Sequence, residues 1–136
     1  MNSPFEGLTK SQVNKLFELL GVHIYKYDKN QELIPTIRNE NIIGIIISGC
    51  AQIINIEYNG NEILIEDLLP NSVFGTNISG TNNENYQIIA KQDTQVVIID
   101  YNKLINPKNS KHSYFNIFIK NIFDIINIKF KEKNER

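Results

Sequence analysis

Two adjacent residues, Asn59 and Gly60, constrain the fold of this chain more than any others. Both tolerate positive φ, the requirement of a type I′ turn, and they interrupt two runs rich in isoleucine, so a two-residue β-hairpin is expected. That turn predicts Tyr58 opposite Asn61, Ile56 opposite Ile63 and Ile54 opposite Ile65. Four isoleucines would then share one face, and the like-charged Glu57 and Glu62 would meet in solvent.

The strand-like period extends well beyond the hairpin, from residue 22 to residue 100. Residues 22–27 read as a strand and Asp28-Lys29-Asn30 as a turn. Residues 41–47 are almost wholly apolar and β-branched, as in a central strand covered on both faces. Ser48-Gly49 breaks that run before residues 51–58 resume it. Pro70-Asn71-Ser72 is a further turn, and residues 86–91 and 95–99 are two further strands. The expected fold class is mainly β with flanking helices: a double-stranded β-helix, or jelly roll, of about eight antiparallel strands.

Helical periods flank the strands on both sides. Thr9 and Gln12 form a capping box at the start of a helix over residues 9–21. Val13, Leu16, Phe17 and Leu20 make its apolar face, and Gly21 supplies a left-handed stop. After a short turn at residues 101–105 and Pro107, a second helix is predicted over about residues 110–135. Its apolar positions cover more than one stripe, which calls for burial on two sides and hence for a partner chain. Tyr114, Phe118, Asn121, Ile125 and Ile128 form the expected homodimer seam, with Asn121 as its single polar, register-setting member. Lys129, Lys131, Lys133 and Arg136, interleaved with Glu132 and Glu135, read as a solvated helix end whose cations suit the helix dipole.

Composition narrows the function classes. A chain of 136 residues is one domain, and 41% apolar with 21% charged residues is the balance of an ordinary globular protein. A net charge of −1 speaks against a stand-alone nucleic-acid binder. The single cysteine, Cys50, excludes a disulfide framework and an all-cysteine zinc or iron–sulfur site, and reads as a buried structural residue. His23 and His112 are too far apart in sequence to suggest the close histidine pair of a jelly-roll metalloenzyme. No nucleophile–base pair, phosphate loop or carboxylate pair emerges, so neither catalysis nor a metal or cofactor is expected. The chain lacks a signal-peptide pattern and an apolar run long enough to span a bilayer, so a cytoplasmic location away from membranes is expected.

Three short stretches carry a resemblance. They are residues 45–53 with Ser48-Gly49, residues 58–62 with Asn59-Gly60, and Leu68-Leu69-Pro70-Asn71-Ser72-Val73-Phe74-Gly75. In this order and spacing the chain resembles the effector domain of the Crp/Fnr transcription regulators, which has the fold of cyclic-nucleotide-binding domains. The resemblance implies a ligand pocket at Gly75, Thr76, Asn77 and Ile78 together with Tyr86, Gln87 and Ile88. It also implies a glutamate after Gly75 for the ribose hydroxyl, and an arginine eleven residues after Gly75 for the cyclic phosphate. Thr76 and Tyr86 stand at those two positions. A charge-assisted contact of that kind contributes roughly 1.5–3 kcal/mol, so recognition of cAMP or cGMP is not expected.

The family normally continues into a winged helix-turn-helix after the long helix, and this chain stops at a charged run that reads as trimmed from a longer one. The resemblance therefore implies the sensor and dimerisation domain of a bacterial transcription regulator, reaching DNA only through a downstream domain and responding to an unknown small molecule or to none. The alternative is a stand-alone small-ligand-binding or scaffold β-roll protein with no DNA role.

Overall fold

A computed structural model describes residues 3–33, 41–75 and 86–134. Helix α1 (Lys10–Leu20) starts at Thr9, whose side chain accepts from the Gln12 backbone N–H while the Gln12 side chain accepts from the Thr9 N–H. It ends at Gly21, which is left-handed at φ 57°.

Among the described residues seven strands follow: β1 (His23–Tyr27), β2 (Ile42–Ser48), β3 (Ala51–Ile56), β4 (Glu62–Leu68), β5 (Val73–Gly75), β6 (Tyr86–Ala90) and β7 (Thr94–Asp100). They form two antiparallel sheets, one in the order β1-β7-β2-β5 and the other in the order β4-β3-β6. A further bridge between Glu32 and Ile89 extends the second sheet beyond β6. The chain passes between sheets at Gly49, where φ is +81° and a Cβ would lie 2.3 Å from the Asp93 carbonyl oxygen. Only glycine fits there.

Strand β2 explains the layering. Ile42 and Ile46 point between the sheets, into a core with Ile53, Leu68, Phe74, Tyr86, Ile88 and Val96. Ile43 and Ile45 point the other way, into a second core with Leu16, Leu20, Phe115, Phe118 and Ile122 of the helices. The near-continuous apolar run is what a strand with two buried faces requires.

The hairpin differs from expectation. Only Gly60 has positive φ, and Gly60 N–H donates to the Glu57 carbonyl at 2.9 Å. This geometry matches a type I turn closed by a left-handed glycine, because the type I′ turn needs positive φ at Asn59 as well. The extra loop residue moves the register by one: Ile56 faces Glu62, Asn55 faces Ile63 and Ile54 faces Leu64. Glu57 consequently meets Asn61 and not Glu62. A β-bulge between Ile53 and Ile54 shifts the register again, so that Ile53 faces Glu66. The isoleucines do not gather on one face, and Ile63, Leu64 and Ile65 are exposed.

The remaining elements are α2 (Tyr101–Leu104), a 3-10 turn at Pro107–Lys111 and the long helix α3 (Ser113–Asn134). Among the described residues, no helix is long and apolar enough to cross a membrane.

Candidate functional site

The interior of the roll and the flank of α3 are where the expected residues fall. Gly75 closes β5 opposite Ile43, and Tyr86 opens β6 opposite Asn55. Tyr86 and Ile88 point into the packed core between the sheets, whereas Gln87, on the other face of β6, pairs with Ile54. Thr76, Asn77 and Ile78 lie outside the described residues. Phe74 also fills the roll: its ring is fully buried against Gly44, where a Cβ would come within 2.3 Å of Cζ. Tyr27, Leu33 and Ile53 complete this packing. Large side chains thus occupy the described interior of the roll.

Helix α3 covers the outer face of the first sheet. Phe115, Phe118 and Ile122 are buried there, and Ile125 packs against the same core. Of the expected seam, Phe118 is fully buried within its own chain, stacked on Phe5 with ring centroids 5.7 Å apart. Asn121 donates from Nδ2 to the Pro4 and Glu6 carbonyls, at 3.0 and 2.8 Å, and so ties the N-terminal segment to α3. Tyr114 is half-buried with the His112 ring edge-on to it, and Ile128 is exposed. A second apolar stripe is half-buried at Ile119 and Ile126 and exposed at its two aromatic members. Ile119, Phe123, Ile126 and Phe130 repeat at spacings of four, three and four, with Phe123 59% and Phe130 43% exposed. At 3.6 residues per turn, this stripe and the expected seam lie on opposite flanks of the buried face. Ile119, Phe123 and Ile126 also form one wall of an apolar cleft of about 290 Å³, closed by Ile42, Tyr101 and Ile105.

The buried face of α3 ends in charge. Lys129 pairs with Glu66 of β4, the two side chains being 15% and 17% exposed, and its Nζ donates to the Val73 carbonyl of β5 at 3.1 Å. This corrects the expectation that Lys129 belongs to a solvated tail. A readable signal was present: Phe115, Phe118, Ile122, Ile125 and Lys129 repeat at three and four, so Lys129 is the last member of the buried stripe. A cavity of about 400 Å³ beside the pair is lined by Ser72, Ile125, Ile128 and Glu132.

The chemistry-bearing singletons stay apart. Cys50 is half-buried and not fully enclosed, because it lies in the turn between β2 and β3. His23 is exposed beside Tyr25, and the His112 carbonyl caps α3 by accepting from the Phe115 and Asn116 N–H groups. Among the described residues, no group of three or more His, Cys, Asp or Glu side chains could hold a metal ion.

Comparison with known proteins agrees with this geometry. The family model of the cyclic nucleotide-binding domain matches residues 25–106. Sequence comparison with curated proteins finds no match. Among solved structures, a cyclic nucleotide-binding domain from Methylobacillus flagellatus is similar over 97% of this chain and 74% of its own, with a TM-score of 0.70 at 13% identity. The catabolite activator protein of Thermus thermophilus is similar over 97% of this chain, with a TM-score of 0.68 at 15% identity. This chain covers 60% of the Thermus protein. A CooA variant from Carboxydothermus hydrogenoformans is similar over 99% of this chain and 84% of its own, with a TM-score of 0.65 at 17% identity. The family match runs from within β1 through α2, more than half of the chain, and on that ground the chain belongs to the cyclic nucleotide-binding domain family.

Proposed function

We propose that this chain is the sensor and dimerisation domain of a Crp/Fnr-type bacterial transcription regulator and that it does not respond to cAMP or cGMP. The observation that carries this reading is Tyr86, buried in the packed roll at the position where the family resemblance calls for a phosphate-binding arginine. A cyclic phosphate entering there would lose its hydration without gaining a cation, and burying an unpaired charge is strongly unfavourable. The similarity to the catabolite activator protein supports the regulatory role, and DNA contact would belong to a domain downstream of residue 136.

Dimerisation is assigned to α3, through the exposed Phe123 and Phe130, the half-buried Ile119 and Ile126 between them and the apolar cleft beside them. An a/d-type spacing on the outside of a helix that is already buried on its inside fits a second copy of the same helix. Calorimetric titration with cAMP and with cGMP tests the first claim. No binding is expected at micromolar ligand, and a micromolar dissociation constant, about −8 kcal/mol, would overturn it.

A further inference from the structure

We infer that Lys129 is a built-in latch that sets the position of the C-terminal half of α3 on the roll, so that no bound ligand is needed to hold it there. The inference rests on the reading that α3 passes the state of the roll to a partner chain.

The inward stripe of α3 runs through Phe115, Phe118, Ile122 and Ile125 on apolar contacts and ends in Lys129. At that level the sheet offers charge instead of apolar surface. The β-bulge in the β3–β4 pairing supplies it. By adding one residue to β4, the bulge puts Glu66 opposite the buried Ile53 and therefore on the inner face. The Lys129 ammonium is then held by the Glu66 carboxylate and the Val73 carbonyl, one from β4 and one from β5. One cation thereby ties α3 to two strands, the second of which ends at Gly75. Glu66 Oε1 is buried without a hydrogen-bond partner, so the carboxylate depends on its other oxygen for compensation. Losing the cation would leave a buried, uncompensated carboxylate, and the helix end would have to lift to hydrate it.

Hydrogen exchange on Lys129→Met, Glu66→Gln and the charge-reversed pair Glu66→Lys with Lys129→Glu tests the latch in the intact chain. Each single variant is expected to speed exchange at residues 125–132 by roughly tenfold or more, while residues 115–122 and α1 keep their protection. The reversed pair should restore the part of that protection that the ion pair carries, since a carboxylate at position 129 cannot donate to the Val73 carbonyl. Unchanged exchange in the single variants would overturn the latch. So would an equal rise across α1 and all of α3, the signature of a pair that only adds global stability, and so would failure of the reversed pair to restore protection. Light scattering on the same samples reports the oligomer separately. A monomer with the exchange pattern described keeps the latch and removes the dimer; a dimer without that pattern does the reverse.

Discussion

Gly44 carries a packing constraint that its neighbours conceal. It lies inside the run Ile42-Ile43-Gly44-Ile45-Ile46-Ile47, where a strand would favour another β-branched residue. Its missing side chain is the space that the Phe74 ring occupies from the paired strand β5. Gly44→Ala would drive Cβ into a fully buried ring enclosed by the roll, with overpacking that costs about 1–3 kcal/mol. The melting temperature should fall by several degrees. An unchanged melting temperature would mean that the ring does not sit over Gly44. Lys129 is the second residue of this kind, and its contrast with Lys120 is instructive. Lys120 pairs with Asp124 one helical turn away at 2.9 Å, but both are well exposed, and pairs of that sort contribute little. The Asp124 carboxylate, through its hydrogen bond and its charge, raises the Lys120 pKa above the usual 10.5. Because that ammonium is charged throughout the neutral range, no pH response follows from it near neutrality.

At the level of elements, most of the roll was legible in the sequence, since α1, β2, β3, β6 and β7 follow from capping residues, period and β-branched composition. The hairpin between β3 and β4 was legible only as a turn. Asn-Gly permits two loop geometries that differ by one residue, and a shift of one residue exchanges the faces of a strand. Local sequence does not decide between them. The bulge near Ile53 restores the inward aim of Glu66 and Leu68, at the cost of leaving Ile63, Leu64 and Ile65 in solvent. The turn makes a prediction of its own. Gly60 sits at φ +86°, and a Cβ there would meet nothing within 4 Å, so substitution tests backbone conformation alone. Gly60→Ala should cost about 1–2 kcal/mol in denaturant unfolding, whereas Gly60→Asn should cost markedly less because asparagine tolerates the left-handed region. Equal losses in the two variants would point to a side-chain clash and against this turn geometry.

Across the whole molecule, α3 has to serve two masters, the sheet beneath it and whatever lies outside, and a heptad-like pattern alone cannot say which stripe faces which. Tyr114, Phe118, Asn121, Ile125 and Ile128 have the spacing of a seam, and so do Ile119, Phe123, Ile126 and Phe130. Contacts far away in sequence engage part of the first set, because Phe5 stacks on Phe118 and the Pro4 and Glu6 carbonyls accept from Asn121. Those contacts hold Phe118 and Asn121 against the chain's own N-terminal segment, while Phe123, Ile128 and Phe130 stay exposed. Exposed aromatic side chains at a/d spacing beside an apolar cleft are unusual on a monomer and typical of an interaction surface. Two glutamate substitutions one and a half turns apart therefore separate folding from assembly. Phe118→Glu places a charge in a fully buried, ring-stacked position and should cost several kcal/mol, enough to unfold a domain of ordinary stability. Phe123→Glu places the same charge on the exposed stripe and should leave the circular dichroism spectrum and the melting temperature of the isolated chain nearly unchanged. Light scattering at micromolar concentration should give about twice the chain mass for the unmodified protein and the mass of a single chain for Phe123→Glu. A folded dimer in the Phe123→Glu variant would move the interface off this stripe, and a folded, dimeric Phe118→Glu variant would contradict the packing of α3 on the roll.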